Sequence, residues 1–122
     1  MSPSVVRWGL LGLWGVASGL AACTEQQVAD CGTNTTTWAG DAETCFASYC
    51  IECHSTALTG SARQDAPASI NFDTYDDLTA NDLDEVSEQI DSGSMPNSDA
   101  SAFPTDPEID EIVAWLDCGA AE

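Results

Sequence analysis

A five-residue segment near the middle of the chain carries the residue types best suited to chemistry. Residues 50–54 read CIECH, which is the C-x-x-C-H pattern at which haem is attached to protein. Two thiols one helical turn apart, here Cys50 and Cys53, can add across the two vinyl groups on one edge of a porphyrin. The adjacent His54 can then give the iron its proximal nitrogen. The pattern predicts one covalently held haem c.

Two other interpretations of this segment stay open. A redox-active or disulfide-forming C-x-x-C can precede a histidine by chance, although a thioredoxin-like site needs a βαβ context that the sequence does not indicate. A zinc site needs more Cys or His residues at ligand spacing, and His54 is the single histidine of the chain. Haem attachment is therefore the favoured chemistry.

The second axial ligand of such an iron is predicted by elimination. The chain has no lysine and no second histidine, and Met1 leaves with the N-terminal leader described below. Met95 is the remaining methionine, in a loop between Gly93 and Pro96 where the backbone is free to turn its sulfur toward iron. A His/Met ligand pair is typical of electron-carrying haem and raises the reduction potential. Alternatively, Met95 fills a gap in the core and the haem is five-coordinate.

Short helices separated by long loops are the elements that must position these residues. Apolar residues recur at helical spacing over residues 41–53, behind an acidic start. Residues 74–77 resemble a helix N-terminus, and Asn81 is predicted to cap a further helical stretch that Gly93 ends. Residues 105–108 read TDPE, a capping-box pattern with proline in the first turn. The helix that follows has these apolar positions: Ile109, Ile112, Val113 and Leu116, with Trp115 beside them.

The predicted fold class is all-α, with three to four short helices around one haem. Residues 55–72 and 92–106 contain glycine, proline and small residues and are predicted to be loops. No segment shows the alternation of a β-strand. A chain of this size with so much loop buries a thin apolar core, so we expect the cofactor to fill part of it.

The N-terminus indicates an export signal of the lipoprotein type over residues 1–22. One positive charge, Arg7, precedes an apolar run of about 13 residues, which is shorter than the roughly 20 that a transmembrane helix needs. Residues 20–23 read LAAC and resemble the lipobox of bacterial lipoprotein precursors. That resemblance implies cleavage before Cys23 and lipid on its sulfur and amino group. An ordinary cleaved signal, with Cys23 left for a disulfide, is the alternative.

Residues 23–40 are predicted to be a flexible polar tether, and residues 41–122 the haem domain. The stretch from Thr24 to Gly40 is rich in Thr, Asn and Gly and has no apolar periodicity. Thr24 also lacks the acidic character linked in some bacteria to inner-membrane retention. We therefore expect a protein exported and lipid-anchored on the periplasmic side, at the outer membrane.

The charge balance excludes several classes of partner. The chain carries 21 acidic residues and two arginines, for a net charge of −19 over 122 residues. Nucleic-acid binding needs Lys and Arg to neutralise phosphates, so it is excluded, as is direct attraction to an anionic membrane surface. Such a chain favours partner proteins with basic docking surfaces. Adaptation to a saline habitat is the alternative, and composition does not separate the two.

In chain order, the motifs resemble those of a single-haem class I cytochrome c over residues 41–119. They are Phe46-x-x-x-Cys50-x-x-Cys53-His54, Pro67, Met95-Pro96 and Ile112-Val113-Ala114-Trp115-Leu116. The resemblance implies that the N-terminal helix crosses the C-terminal helix, with Phe46 near Trp115. It also implies that the carbonyl of Pro67 accepts the second ring N–H of His54 and fixes the orientation of that ring.

A shorter resemblance is to predicted haem lipoproteins of myxobacteria and their relatives. It is carried by residues 55–60, with the pattern S-x-x-L-T-G, and by Ala66-Pro67. Two features depart from the soluble carriers of the cytochrome c fold. The chain has no lysines to surround the haem edge, and it has extra cysteines.

Three cysteines remain once Cys23 and the haem pair are set aside: Cys31, Cys45 and Cys118. An odd number permits one bridge within the chain. Cys118 ends the last helix and belongs in that bridge. Its partner is Cys31 or Cys45, and Cys31 is slightly favoured because Cys45 can be buried as a small apolar residue.

Arg63 is the one cation left after removal of the leader, and it either pairs with a haem propionate or lies exposed to solvent. The function predicted from all these features is electron transfer between redox partner proteins, with no side chain acting as an acid or base. One alternative is a haem-based sensor or small haem enzyme with an open sixth site. The other is a disulfide-bearing lipoprotein without haem.

Overall fold

The computed structural model describes residues 30–122, and helices are the only regular elements in that part of the chain. The α-helices are α1 (Glu43–Tyr49), α2 (Tyr75–Thr79), α3 (Leu83–Asp91) and α4 (Asp106–Asp117). A π-helical turn, Trp38–Ala42, leads into α1, and a 3-10 turn, Gly60–Arg63, lies in the loop before α2. The prediction of an all-α fold is confirmed for residues 30–122 as helices without strands.

The predicted leader, the predicted lipidation site Cys23 and the first residues of the predicted tether lie outside the described residues. Among the helices of residues 30–122, none has the length and apolar character needed to cross a membrane.

Side-chain caps begin two helices where the sequence predicts them. Thr74 caps α2 in a capping box with Asp77, whose carboxylate accepts from the Thr74 backbone N–H at 3.1 Å. Thr105 and Glu108 form the same motif at α4, with 2.7 Å between Thr105 N and Glu108 Oε2. These bonds satisfy backbone donors that a helix start leaves without intrahelical partners.

Asn81 does not cap α3, contrary to the prediction. The N-cap is Asp82, whose carboxylate accepts from two backbone N–H groups of the first turn. The Asn81 amide instead donates to the carbonyl oxygens of Asp77 (2.7 Å) and Leu78 (3.2 Å) at the end of α2. Asn81 closes α2 and Asp82 opens α3, because an amide can donate to free carbonyls whereas a carboxylate only accepts.

The helix predicted over residues 41–53 ends early, at Tyr49. The backbone N–H of Cys50 closes α1 by donating to Phe46 O at 2.9 Å. The chain then turns, since the N–H groups of Cys53 and His54 both donate to Cys50 O, at 3.2 and 3.0 Å. The C-x-x-C-H segment is therefore a turn that follows directly from the end of α1.

An aromatic cluster forms the centre of the core. The ring centroid of Phe46 lies 5.2 Å from that of Phe72, 5.8 Å from Trp38 and 6.4 Å from Trp115. These spacings are typical of favourable aromatic pairs. The contact of Phe46 with Trp115 joins α1 to α4, as the family resemblance implies. The rest of the buried apolar core consists of Ala42, Leu78, Val86, Ile112, Leu116 and Ala120.

The folded unit begins before residue 41, so the predicted tether extends too far toward the C-terminus. Thr36 and Trp38 are each only 7% exposed. Thr36 Oγ1 donates to Glu111 Oε1 at 2.9 Å, and the Trp38 backbone N–H donates to Ala121 O at 3.0 Å. The segment lacks periodicity because it packs through one tryptophan rather than through a helical face.

A disulfide joins Cys31 to Cys118 across 87 residues of chain, with 5.4 Å between the two Cα atoms. The slightly favoured pairing is confirmed, and Cys45 is a half-buried free thiol. The bridge fastens the N-terminal segment to the end of α4.

Candidate functional site

A cavity of about 350 Å³ opens beside the C-x-x-C-H segment. Cys50, His54 and Met95 all line it, together with Pro67, whereas Cys53 and Arg63 do not. Four of the six residues that the sequence analysis places at the haem site therefore meet at one cavity, which is partly open to solvent. Its apolar walls come from Phe46, Tyr49, Ile70, Phe72, Val86 and Ile90, and polar groups of Asn81, Asp82, Glu85 and Gln89 complete the lining.

His54 is held through its ring and its main chain. Ring Nδ1 lies 3.2 Å from Ile70 O, so Nδ1–H donates to that carbonyl and Nε2 is left for another partner. The backbone N–H of Phe72 donates to His54 O at 3.0 Å, and the two rings lie 5.2 Å apart. Burial lowers the pKa of His54, helped by the nearby Arg63 charge and opposed by the bond to Ile70. The imidazole is therefore neutral at pH 7, as a metal-ligating histidine must be.

Ile70, rather than Pro67, supplies the carbonyl that orients His54. Pro67 O accepts from Arg63 Nη2 at 2.7 Å and from the Ile70 backbone N–H at 3.1 Å. A carbonyl oxygen has two lone pairs, and both are used by these donors. The role that the family resemblance implies for Pro67 is therefore wrong for this chain, although Pro67 does line the cavity.

Arg63 is buried, so the solvent-exposed environment, one of the two expected from the sequence, is wrong. It is 5% exposed, and its guanidinium donates only to main-chain carbonyl oxygens among the described residues. The acceptors are Ser55 O (2.6 Å), Ala66 O (3.2 Å), Pro67 O (2.7 Å) and Ile70 O (2.9 Å). A buried guanidinium needs its donors satisfied, and the surrounding loop provides carbonyl oxygens that accept from them.

Cys50 and Cys53 are both free thiols. Burial raises the pKa of Cys50 to about 12 and raises the pKa of Cys53 above its ordinary value. Both thiols are therefore protonated at neutral pH. A redox-active C-x-x-C pair instead has a thiol with a lowered pKa, so the surroundings of this segment do not suit the thioredoxin-like alternative.

Met95 lies in the loop after α3, with 37% of its surface exposed. Its backbone N–H donates to Gln89 O at 2.9 Å, which fastens the loop to α3. Farther along, Ser101 donates its N–H and O–H to Glu52 Oε2, at 3.0 and 2.7 Å. Glu52 is one of the two variable positions of C-x-x-C-H, so the segment itself holds the loop that carries Met95.

Sequence reasoning missed Glu52 and also Asp73, which fastens the chain just after His54. Asp73 Oδ1 accepts from Ser55 Oγ at 2.5 Å, and Oδ2 accepts from the Thr56 backbone N–H at 2.7 Å. Both carboxylates contact residues distant in the chain. In a sequence with 21 acidic residues, nothing in composition or spacing separates these two from solvated ones.

No group of three or more His, Cys, Asp or Glu side chains within residues 30–122 is arranged to hold a metal ion. Comparison with known proteins adds no relative: no family model, no curated protein and no solved structure matches the chain. The resemblance to class I cytochromes c therefore rests on the sequence motifs.

Proposed function

We propose that this protein is an electron carrier with one covalently attached haem c. The observation that carries the proposal is the cavity beside the C-x-x-C-H segment, because Cys50, His54 and Met95 line it together. Cofactor sites are mostly apolar and have volumes of roughly 300–1,000 Å³, a range that includes this cavity. A thiol, an imidazole and a thioether beside one apolar cavity are the donor set of a c-type haem with His/Met ligation, so the residues present fit this group.

Each of these residues has a defined task in the proposal. Cys50 and Cys53 attach the macrocycle, since each S–H adds across one vinyl double bond and forms a thioether without any other reactant. His54 offers Nε2 as the proximal ligand because Ile70 O holds its Nδ1–H. Met95 offers its sulfur as the second axial ligand. When bound, the haem supplies one-electron transfer, and the apolar walls exclude water from it.

The proposed architecture is that of a class I cytochrome c. The contact between α1 and α4 through Phe46 and Trp115 supports it, as does the position of the C-x-x-C-H turn directly after α1. The loop with Met95 lies between α3 and α4, which is the order that the resemblance implies.

The proposed task needs no general acid or base, so we infer that the protein is not an enzyme. Its partners are electron donor and acceptor proteins. The net charge of −19 supports partners with basic docking surfaces and association that slows as salt is added.

We further propose that the protein is exported and anchored by lipid at Cys23, on the periplasmic side of the outer membrane. The LAAC sequence of residues 20–23 supports this proposal. Mass spectrometry of the mature N-terminus is expected to find an acylated Cys23 as the first residue. An unmodified N-terminus at any other position refutes it.

A haem-based sensor or small haem enzyme is the second candidate, and one observation favours it. Met95 lies on a loop with 37% of its surface exposed, and a ligand so placed can leave the iron more readily than a buried one. Carbon monoxide distinguishes the two functions, because it binds ferrous haem only at an open site.

Two measurements on the wild-type protein, expressed together with a cytochrome c maturation system, test the proposal. A denaturing gel stained for haem is expected to show a stained band at the mass of the polypeptide. An unstained band favours the alternative function, a disulfide-bearing lipoprotein that holds no haem. The reduced absorption spectrum is expected to stay unchanged under carbon monoxide. Rapid binding of carbon monoxide favours a sensor or enzyme over an electron carrier.

A further inference from the structure

Arg63 is the buried charged group that the proposed function leaves unused. It is the only lysine or arginine within residues 30–122, and it is 5% exposed. Its hydrogen bonds go to carbonyl oxygens on both sides of it in the loop that follows His54, from Ser55 to Ile70. One cation thus holds together the loop that carries the acceptor of the His54 ring.

That acceptor is shared between the two side chains. Ile70 O accepts from Arg63 Nη2 at 2.9 Å and from His54 Nδ1–H at 3.2 Å. A carbonyl oxygen can accept two bonds, but the guanidinium is charged and its bond is the shorter one. The charged donor draws electron density from the oxygen and leaves less of it for the imidazole proton.

We propose that Arg63 is a positioning residue that shares Ile70 O with His54 and thereby keeps the Nδ1–H bond of the proximal histidine weak. This inference rests on the proposed attachment of haem. A strong Nδ1–H bond makes the imidazole a better electron donor and stabilises ferric iron, so a weak bond raises the reduction potential. The buried positive charge acts in the same direction, because it disfavours the more positive ferric state.

The test compares Arg63→Gln with the wild-type holoprotein. At a fixed ambient potential, the ratio of ferrous to ferric protein is expected to fall about tenfold, equivalent to about 59 mV for a one-electron couple. The iron–histidine stretching frequency of the ferrous protein, read by resonance Raman in a Met95→Ala background, is expected to rise as the Nδ1–H bond strengthens. Arg63→Lys keeps the charge but loses the guanidinium fork, and we expect both readouts between the other two.

Ser55→Ala is the matched control. It removes the Ser55 Oγ bond to Asp73 in the same loop but keeps the Ser55 carbonyl that Arg63 contacts. We expect this variant to leave the stretching frequency and the potential unchanged. Equal shifts in the control, or no shift in Arg63→Gln that retains haem, overturn the proposal.

The wild-type protein decides the matter if both Arg63 variants fail to fold. In ferrous protein labelled with ¹³C and ¹⁵N, the carbonyl carbon of Ile70 is expected to show hydrogen-bond couplings to Arg63 Nη and to His54 Nδ1. If the spectrum shows no coupling between the Ile70 carbonyl carbon and Arg63 Nη, this inference is overturned while the proposed function stays intact. Wild-type protein without covalent haem instead overturns the proposed function, and this inference with it.

Discussion

Two regions of the domain are held together by different interactions. In the core region, defined by Trp38, Phe46, Trp115 and the disulfide Cys31–Cys118, large side chains pack against one another and a covalent bond closes the chain. In the cavity region, defined as residues 50–72 and 92–105, loops are held mainly by hydrogen bonds to side chains and carbonyls. The rings of Trp38 and Trp115 pack within the core region, whereas the loops of the cavity region adjoin an apolar cavity that Phe46 of the core region also lines.

This difference has a thermodynamic consequence for the cavity region. Apolar walls around about 350 Å³ gain hydrophobic stabilisation only when an apolar group covers them. A group that binds the folded chain alone shifts the folding equilibrium toward the folded state. We therefore expect the stability of the cavity region to depend on its cofactor, and that of the core region to depend on packing.

Loss of the two thiols proposed to attach haem is expected to have the largest effect. The double variant Cys50→Ala, Cys53→Ala removes covalent attachment and leaves the cavity walls uncovered. We expect no haem stain after denaturation and a lower unfolding temperature by circular dichroism. Cys45→Ala, which removes a free thiol outside the cavity lining, is the matched control and is expected to keep its haem. A double variant that keeps its stain contradicts the assignment.

Truncation of the central tryptophan tests the core region. Trp115 is 1% exposed, contacts the rings of Trp38 and Phe46, and donates its indole N–H to Ala121 O. Trp115→Ala is expected to reduce the free energy of unfolding by about 3–5 kcal/mol in chemical denaturation of the holoprotein. Phe103→Ala removes an aromatic ring that is 55% exposed and is expected to change it by about 0.5 kcal/mol or less. Similar decreases in the free energy of unfolding in both variants argue against tight packing of Trp115 in the core.

Removal of the disulfide tests whether the core region and the cavity region are independent of each other. The variant Cys31→Ser, Cys118→Ser frees 87 residues of chain in the unfolded state, so we expect it to reduce the free energy of unfolding by about 2–5 kcal/mol. Because the bridge belongs to the core region, the haem stain and the midpoint potential are expected to stay unchanged. A shift of the potential as large as that from a ligand substitution shows that the regions are not separable.

Substitution of Met95 is expected to change the reduction potential but hardly the stability, which is the reverse of the effect of removing the disulfide. Met95 is exposed over 37% of its surface, so Met95→Ala removes little packing and is expected to reduce the free energy of unfolding by about 1 kcal/mol or less. Because thioether sulfur stabilises ferrous iron, loss of the proposed Met95 ligand is expected to lower the reduction potential and to open the iron to carbon monoxide. A redox titration and a reduced spectrum under carbon monoxide measure both effects. An unchanged potential and spectrum remove Met95 as the ligand.

The sequence predicts the two regions to different extents, for a physical reason. Ile112, Trp115 and Leu116 repeat at helical spacing, and the capping box at Thr105 marks where their helix begins, so α4 was predictable. Trp38 was not, because a single tryptophan in a polar stretch carries no periodic signal. Much of the core can thus be predicted from the periodic spacing of apolar residues.

In the cavity region, the sequence predicts the groups proposed to hold haem but not the groups that orient them. Cys50, His54 and Met95 are recognisable from residue type and motif, and all three line the cavity. Main-chain carbonyls do the orienting, and any residue can supply one. The role of Ile70 O as the acceptor of the His54 ring and the burial of Arg63 therefore could not be predicted from the sequence.

The smallest predicted effect concerns Glu108, which links the start of α4 to the end of α1. Its carboxylate accepts from Thr105 N and Oγ1 at the start of α4, and from the hydroxyl of the cavity-lining Tyr49 at 3.1 Å. Hydrogen bonds from Thr105, and then from Tyr49, lower the pKa of Glu108 below its ordinary value of 4.5. Because the folded-state pKa is the lower one, the stabilisation is fully present above pH 4.5 and is lost as the pH falls through the folded-state value.

Glu108→Gln is therefore expected to be slightly less stable than the wild-type protein at pH 7, with a difference that shrinks as the pH falls below 4.5, where the wild-type carboxyl also becomes neutral. Thermal unfolding of both proteins over a range of pH measures this convergence. Asp110→Asn removes an exposed carboxylate from the same helix and controls for the change in net charge. A deficit of Glu108→Gln that persists unchanged at low pH, or that Asp110→Asn reproduces, means that the ionised Glu108 carboxylate does not stabilise the junction between α1 and α4.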